Sequence, residues 1–205
     1  MGFVRQNKLK MEKRKMTQTT TTITIPARLA FPSLFKPSKV GDSDVEKYSV
    51  TSLVPKDDAI VATIVAAMKV AAEEKWGAKW QKTYDLIKED GKLCLQNGDK
   101  KADKYDGFAG CYSINASSKN RPTVINRDKS PLTEGDGVIY AGCYANVRIN
   151  FWAQDNQYGK RINAELKGVQ FVRDGDSFGS GSAASVDDFD DLSTENTAGS
   201  NDPLA

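Results

Sequence analysis

Hydrophobic and polar residues alternate along several stretches of the chain, and this alternation predicts β-strands. The first stretch has these apolar residues on one face: Ile23, Ile25, Ala27, Leu29 and Phe31. The second has these residues on one face: Tyr48, Val50, Ser52 and Val54. A Pro- and Gly-containing segment, residues 36–44, lies between them and predicts a loop. The two stretches therefore predict a pair of neighbouring strands.

A helical period replaces the alternation after Pro55. Asp57 and Asp58 stand where acidic residues favour a helix N-terminus. Apolar residues then recur every three to four positions, at Ile60, Ile64, Met68 (or Ala67) and Ala71. This spacing predicts a helix with an apolar stripe that packs against a sheet. Residues 76–105 are rich in Lys and Asp and predict a mixture of loop and short helix.

Strand character returns in four segments, residues 111–117, 123–126, 140–153 and 160–173. In the third segment one face is apolar and small: Cys143, Ala145, Val147, Ile149, Phe151 and Ala153. The opposite face mixes aromatic, amide and guanidinium groups: Tyr144, Asn146, Arg148, Asn150 and Trp152. The first face predicts a core, whereas the second is unusual for a surface that is only solvated.

The turn at residues 155–159 joins the last two of these strands and predicts a long hairpin. Gly168 shifts the alternation from Leu166 to Val169, as a β-bulge would. About five strands with one main intervening helix predict a mainly β protein, an OB-fold-like curved barrel, rather than a βαβ sheet.

Both ends of the chain differ in composition from this predicted barrel. Residues 1–22 include a basic stretch and a Thr-rich run without apolar periodicity, which predicts a disordered basic arm. Residues 174–205 form a Gly- and Ser-rich linker followed by an acidic segment, which predicts a flexible tail. The predicted OB-fold domain is therefore residues 23–173.

The charge is divided unevenly between these segments. The whole chain carries a net charge of +2, from 29 basic and 27 acidic residues. Residues 174–205 hold eight acidic residues and no Lys or Arg, so residues 1–173 hold 29 basic against 19 acidic residues, a net charge of +10. A body with this charge attracts polyanions, because neutralising phosphates releases condensed counterions.

Several functional classes are disfavoured by what the chain lacks. It contains no histidine, the commonest general base and metal ligand. Cys94, Cys111 and Cys143 are widely spaced, which suggests buried thiols in a reducing cytoplasm rather than disulfides or a zinc site. The apolar run at residues 59–72 is too short to span a bilayer, and no secretion signal follows the basic arm. We therefore expect no cofactor, no metal, no membrane role and no enzymatic activity.

The candidate chemistry is nucleic-acid binding. Single strands are held by a cationic groove that follows the phosphates and by aromatic rings on which bases stack. The predicted DNA-binding residues are Arg28, Lys47, Lys119, Arg121, Arg127, Tyr144, Arg148, Trp152, Arg161 and Lys167. Each cation alone is most simply a solvated surface residue. The occurrence of cations and aromatic residues on one predicted face favours binding.

The acidic tail has two interpretations. Its central block interleaves acids with two large apolar residues: Asp187, Asp188, Phe189, Asp190, Asp191 and Leu192. Such a block can simply improve solubility. Alternatively, its aspartates occupy the basic groove when no nucleic acid is bound, and its apolar residues contact partner proteins after displacement.

Three other functions remain open at this stage. A strand-annealing recombination mediator or an RNA-binding module would use the same kind of surface. A metal-dependent nuclease would use Asp99, Asp103 and Asp106, although their spacing matches no metal-binding motif. A structural virion protein would bind no nucleic acid.

Several segments carry a family resemblance: "ARLAFPSLFKP" at 27–37, "KYSVTSLVPKDD" at 47–58, "GCYSINASSKNRP" at 110–122, "YAGCYANVRINFWAQDNQYGKRI" at 140–162 and "DDFDDL" at 187–192. Together they resemble the tailed-bacteriophage single-stranded DNA-binding proteins. The resemblance implies an OB fold, sequence-independent binding of single-stranded DNA, no catalysis and an acidic C-terminus used for regulation or partner contact. It departs in one respect, because 13 residues follow Leu192 where many single-strand binders end.

The residues and the resemblance together predict a bacteriophage protein that coats and protects single-stranded DNA during replication or recombination. Its expected partners are single-stranded DNA and, through the tail, phage or host replication proteins. A homo-oligomer or a cooperative assembly on DNA is compatible with this function. The expected location is the cytoplasm of the infected bacterial host.

Overall fold

Seven strands and two α-helices account for most of the chain in a computed structural model, which describes residues 20–39 and 45–179. The strands are β1 (Thr22–Lys39), β2 (Glu46–Pro55), β3 (Leu95–Asn97), β4 (Cys111–Ser118), β5 (Thr123–Ile125), β6 (Tyr144–Asn156) and β7 (Gly159–Arg173). The helices are α1 (Ile60–Trp76) and α2 (Trp80–Glu89). None of the helices in the described ranges is long and apolar enough to cross a membrane.

The strands form one sheet that closes on itself. Their order is β3-β4-β2-β1-β6-β7-β5, and an additional parallel pairing joins β4 to β7. This pairing closes a barrel of five strands, β1, β2, β4, β6 and β7. The predicted OB-fold-like barrel is therefore confirmed.

The core of the barrel comes from the alternation seen in the sequence. On β6, Val147 and Ile149 are fully buried and Phe151 is 1% exposed. The corresponding residues of β7 are Ile162, Ala164 and Leu166, all buried. Successive strand residues point to opposite faces, so the residues between them face outward. The predicted core face of β6 is confirmed.

Helix α1 packs its apolar stripe against this barrel. Ile64, Ala67, Met68 and Ala71 are buried in the same hydrophobic core as the strand residues. The predicted helix and its stripe are confirmed. Helix α2 lies in the segment for which the sequence predicts loop and short helix, and it buries Tyr84 and Ile87.

The alternation fails at Phe31, which was predicted to face the core. Its side chain is 53% exposed and its φ is +50°. The β1–β2 pairing shifts register between Ala30 and Ser33, because an irregularity there breaks the period of two. Strand β1 also continues to Lys39 through part of the predicted loop, while residues 40–44 lie outside the described ranges.

The β6–β7 hairpin follows the prediction more closely. The two strands pair from Asn156↔Gly159 to Tyr144↔Arg173. A register shift occurs between Arg148 and Ile149, opposite Gly168 and Leu166. The predicted β-bulge at Gly168 is therefore confirmed. Strand β6 begins at Tyr144 and not at Tyr140, because residues 140–143 turn to contact the segment that follows β7.

Candidate nucleic-acid interface

A groove runs over the outer face of the barrel where β2, β4, β6 and β7 meet. It encloses about 920 Å³. Four of the predicted DNA-binding residues line it: Lys47, Lys119, Trp152 and Arg161. They come from the start of β2, the end of β4 and both strands of the hairpin. The barrel thus brings together residues that are more than 100 positions apart in the sequence.

Trp152 is the aromatic residue of this groove. It lies on the outer face of β6 beside Asn163 of β7, and its side chain is 43% exposed. The preceding residue, Phe151, fills the core, which fixes the outward direction of Trp152. An indole ring held in this way offers a flat surface on which a base can stack.

The groove is cationic but contains one carboxylate. Its basic residues are Lys47, Lys92, Lys119 and Arg161. Lys92 also forms an ion pair with Asp90 at 3.0 Å. Glu165 lines the same groove, where Lys167 Nζ lies 2.7 Å from its Oε1. Lys167 therefore offsets the one charge that would repel a phosphate.

Amide side chains supply the remaining polar groups of the groove: Asn115, Asn120, Asn150, Gln154 and Asn163. An amide both donates and accepts hydrogen bonds, so it can meet the edge of any base. The list of predicted DNA-binding residues did not include them. The alternation of β4 and β7 was the available signal, because Asn115 and Asn163 each stand between two core residues of their strand.

A second, smaller depression adjoins the groove along the hairpin. Arg148 and Lys167 line it together with Gln170. Arg148 Nη1 donates a hydrogen bond of 3.1 Å to Thr24 Oγ1, and the backbone oxygen of Arg127 accepts one of 3.5 Å from Gln170. Three further predicted cations are thus close to the groove. Arg121 is exposed in the loop after β4 and does not line it.

Arg28 and Tyr144 are placed differently from the other predicted DNA-binding residues. They pair across β1 and β6, and both contact residues 174–178, which we call the strap. Arg28 Nη2 donates a hydrogen bond of 2.6 Å to the backbone oxygen of Asp176, and its Cζ lies 4.3 Å from the centroid of the Phe178 ring. Arg173 Cζ lies 3.4 Å from the centroid of the Tyr144 ring. These contacts occupy the groups that the sequence assigns to DNA.

The strap follows the barrel surface closely. Gly175 N donates to Tyr140 Oη at 3.0 Å, and Phe178 N donates to the backbone oxygen of Ala141 at 2.9 Å. A Cβ at Gly142 would lie 2.1 Å from the backbone oxygen of Asp176, so no larger residue fits there without moving the strap. The packed part of the chain therefore extends beyond Arg173, the last residue of the predicted domain.

The acidic residues considered for a nuclease do not form a metal site. Asp99 instead binds the Lys56 ammonium and accepts a hydrogen bond of 2.8 Å from Gly110 N. These two bonds lower the pKa of Asp99. Within residues 20–39 and 45–179, no three His, Cys, Asp or Glu side chains are placed to hold a metal ion.

The cysteines are free thiols. Cys143 is buried, as predicted, whereas Cys94 and Cys111 are only partly buried. Burial raises the pKa of the Cys94 thiol to about 12 and also raises the pKa of Cys143. A thiol with a raised pKa is a poor nucleophile at neutral pH.

Known proteins with similar sequences and folds come from bacteriophages. A protein described as "Putative protein p50", from Acyrthosiphon pisum secondary endosymbiont phage 1, is 47% identical over 169 residues, which cover 81% of this chain and 90% of that protein. The single-stranded DNA-binding protein from bacteriophage Enc34, solved in complex with ssDNA, has a TM-score of 0.64 and 28% identity over 77% of this chain and 89% of its own.

A more distant structure shares the fold alone. It is gp2.5, a single-stranded DNA-binding protein encoded by bacteriophage T7, with a TM-score of 0.53 and 13% identity over 78% of this chain and 96% of its own. The family described as "Enterobacter phage Enc34, ssDNA-binding protein" matches residues 20–199. This is a family of binding proteins and not of enzymes. The chain therefore belongs to the family of ssDNA-binding proteins represented by that of Enterobacter phage Enc34.

Proposed function

We propose that this protein binds single-stranded DNA without sequence preference in the groove that contains Trp152. The observation that carries the proposal is the groove itself, where an exposed indole lies among four cations and five amide side chains. These groups match the phosphates, the base faces and the base edges of a single strand. Membership of the Enc34 family supports the same ligand.

The biological role that follows is to coat DNA exposed during replication or recombination in the cytoplasm of an infected bacterium. A coated strand is protected from nucleases, so protection is the property to measure. We expect the full-length protein to shield a single-stranded oligonucleotide from a single-strand-specific nuclease at low salt. A variant with Lys47, Lys119 and Arg161 changed to Glu should give no protection, because it places negative charge in the groove.

The matched control for this assay is a triple charge reversal outside the groove, at Lys69, Lys82 and Lys88 of the two helices. It changes the net charge of the protein by the same amount. Protection by this control and none by the groove variant supports the proposal. Equal protection by both variants would contradict it, because total charge rather than the groove would then explain binding.

We also propose that the acidic tail competes with DNA for the groove or contacts partner proteins. The block of residues 187–192 lies outside the described ranges, so its support is chemical. Its four aspartates offer the groove the same charge as phosphates do.

Removal of residues 180–205 should tighten the binding of oligo-dT by about tenfold at low salt, and the difference should shrink as salt screens the tail. The deletion begins after Gly179, so it keeps the strap and leaves Arg28 in its observed contacts. Fluorescence anisotropy with labelled oligo-dT measures the change. Asn at positions 187, 188, 190 and 191 should reproduce it, and equal affinity of all three proteins would exclude competition by the tail.

A strand-annealing mediator or an RNA-binding module is the alternative function. Both use the same groove, so the structure favours neither over simple coating. Comparing the affinity for oligo-dT with that for oligo-U, together with the rate of annealing of complementary strands, distinguishes them.

A further inference from the structure

Phe31 has an unusual conformation for a large apolar residue. Its φ of +50° lies in the left-handed region, and its ring is 53% exposed. A bulky residue with such a φ is an outlier that costs about 1–3 kcal/mol and persists where the surrounding structure imposes it. The irregularity of β1 thus holds an aromatic ring out of the core and in solvent.

Two other aromatic rings hold Phe31 in this position. The Tyr105 ring meets it edge-on, with centroids 5.0 Å apart and planes at 82°. The buried Phe108 ring lies beneath both, with centroid distances of 6.1 Å to Phe31 and 5.8 Å to Tyr105. Tyr105 is itself 44% exposed. Phe31 and Tyr105 therefore form an open aromatic surface, here called the Phe31 platform.

The Phe31 platform lies on the same outer face of the barrel as the groove. Phe108 packs against Ala30 and Leu53, which are buried outside the main core. Ala30 pairs with Thr51, and Thr51 pairs with Asn115, which lines the groove. The platform is thus two strands away from a groove residue.

The strand register extends this row across the whole interface. Ala116 pairs with Ala164, so the outward-facing residues that precede them, Asn115 and Asn163, are neighbours. Asn163 pairs in turn with Trp152. The row that crosses the five strands of the barrel is Trp152, Asn163, Asn115, Thr51 and Ala30, with Phe31 directly after Ala30. At a spacing of about 4.8 Å between strands, its ends are roughly 19 Å apart.

Every side chain along this row suits a single strand. Aromatic rings stand at both ends, and two amides and a hydroxyl stand between them. Three exposed lysines, Lys100, Lys101 and Lys104, immediately precede Tyr105 in the sequence. The acidic neighbour Asp99 is neutralised by Lys56. The platform thus repeats the combination of aromatic rings and cations that characterises the groove.

We propose that the Phe31 platform is a second base-stacking site, and that single-stranded DNA crosses the barrel from Trp152 to Phe31 along this row. The inference rests on the proposed function, and it adds residues that the sequence had assigned to the core or to a loop. A surface for another protein is the competing interpretation of exposed aromatic residues, and it predicts no change in DNA binding when Phe31 is replaced.

Phe31→Gly in the full-length protein separates a binding role from a structural one. Glycine adopts a positive φ without strain, so the free energy of unfolding should stay the same or rise. The affinity for oligo-dT of about twelve nucleotides should nevertheless fall by about tenfold, because one stacked base is lost. Oligo-dT of about four nucleotides should bind as it does to the unaltered protein, since it occupies the groove alone.

Two further variants complete the experiment. Phe31→Trp keeps a ring on the platform and should retain the affinity for the longer oligonucleotide. Leu86→Ala removes an equally exposed side chain, 54% exposed on α2, and should leave both affinities unchanged.

Loss of affinity for only the longer oligonucleotide, with rescue by Phe31→Trp, supports the inference. Unchanged affinity for the longer oligonucleotide overturns it, and so does an equal loss for both lengths. Failure of the unaltered protein to bind either oligonucleotide would instead overturn the proposed function, a result that the same titrations identify.

Discussion

Trp152→Ala is expected to weaken the binding of oligo-dT by roughly 5- to 150-fold, which corresponds to the loss of about 1–3 kcal/mol from one stacked base. The Trp152 ring is 43% exposed and lines the groove, so it is available to a base without any rearrangement of the barrel. Because the ring lies outside the core, the free energy of unfolding should change by about 1 kcal/mol or less. Fluorescence anisotropy and urea denaturation measure the two quantities.

The conservative control is Trp152→Phe, which keeps an aromatic face and should recover most of the affinity. If Trp152→Ala binds oligo-dT as tightly as the unaltered protein, then the indole stacks on no base. The groove would in that case bind DNA through phosphate contacts alone.

Phe151→Ala is expected to have the opposite effect, although the two residues are neighbours. The Phe151 side chain is 1% exposed and packs in the main core, so its truncation should lower the free energy of unfolding by about 3–5 kcal/mol. That loss is a large share of the roughly 5–15 kcal/mol by which a typical domain is stable. Urea denaturation followed by circular dichroism measures it.

The protein that remains folded in the Phe151→Ala sample should still bind oligo-dT with nearly normal affinity, because the groove residues are unchanged. A loss of less than about 1 kcal/mol in the free energy of unfolding would contradict the placement of Phe151 in the core. The pair of variants therefore tests the alternation of β6 from both of its faces.

Local periodicity predicted most of the barrel because each strand buries one face. The apolar residues of β6 and the stripe of α1 could be recognised from a few neighbouring residues. The pairing of β4 with β7, which closes the barrel, depends on contacts between residues about 48 positions apart, such as Ala116 and Ala164. No local pattern contains that information.

The errors have the same origin. Phe31 continues a perfect alternation in the sequence, but the irregularity in the β1–β2 pairing turns its ring outward. Arg28 and Tyr144 have the chemistry of DNA contacts, yet the strap occupies them from more than 30 positions further along the chain. The strap is short, and its composition resembles a linker, so its contacts could not be predicted from its sequence.

The groove was predicted in part. Its cations and its tryptophan were identified by their residue types, whereas the amides on β4 and β7 were not. Asparagine is common on solvated surfaces, and only the three-dimensional arrangement shows that five amide side chains line the same groove as Trp152.

The central claim, that the groove binds single-stranded DNA through its cations, is tested most directly by titrating labelled oligo-dT at several salt concentrations. Four cations line the groove, and three more, Arg127, Arg148 and Lys167, lie beside it. With a contribution of about −0.7 per neutralised phosphate of a single strand, the logarithm of the association constant should fall against the logarithm of the salt concentration with a slope of about −3 to −5. A slope near zero, or no binding at low salt, would contradict the claim.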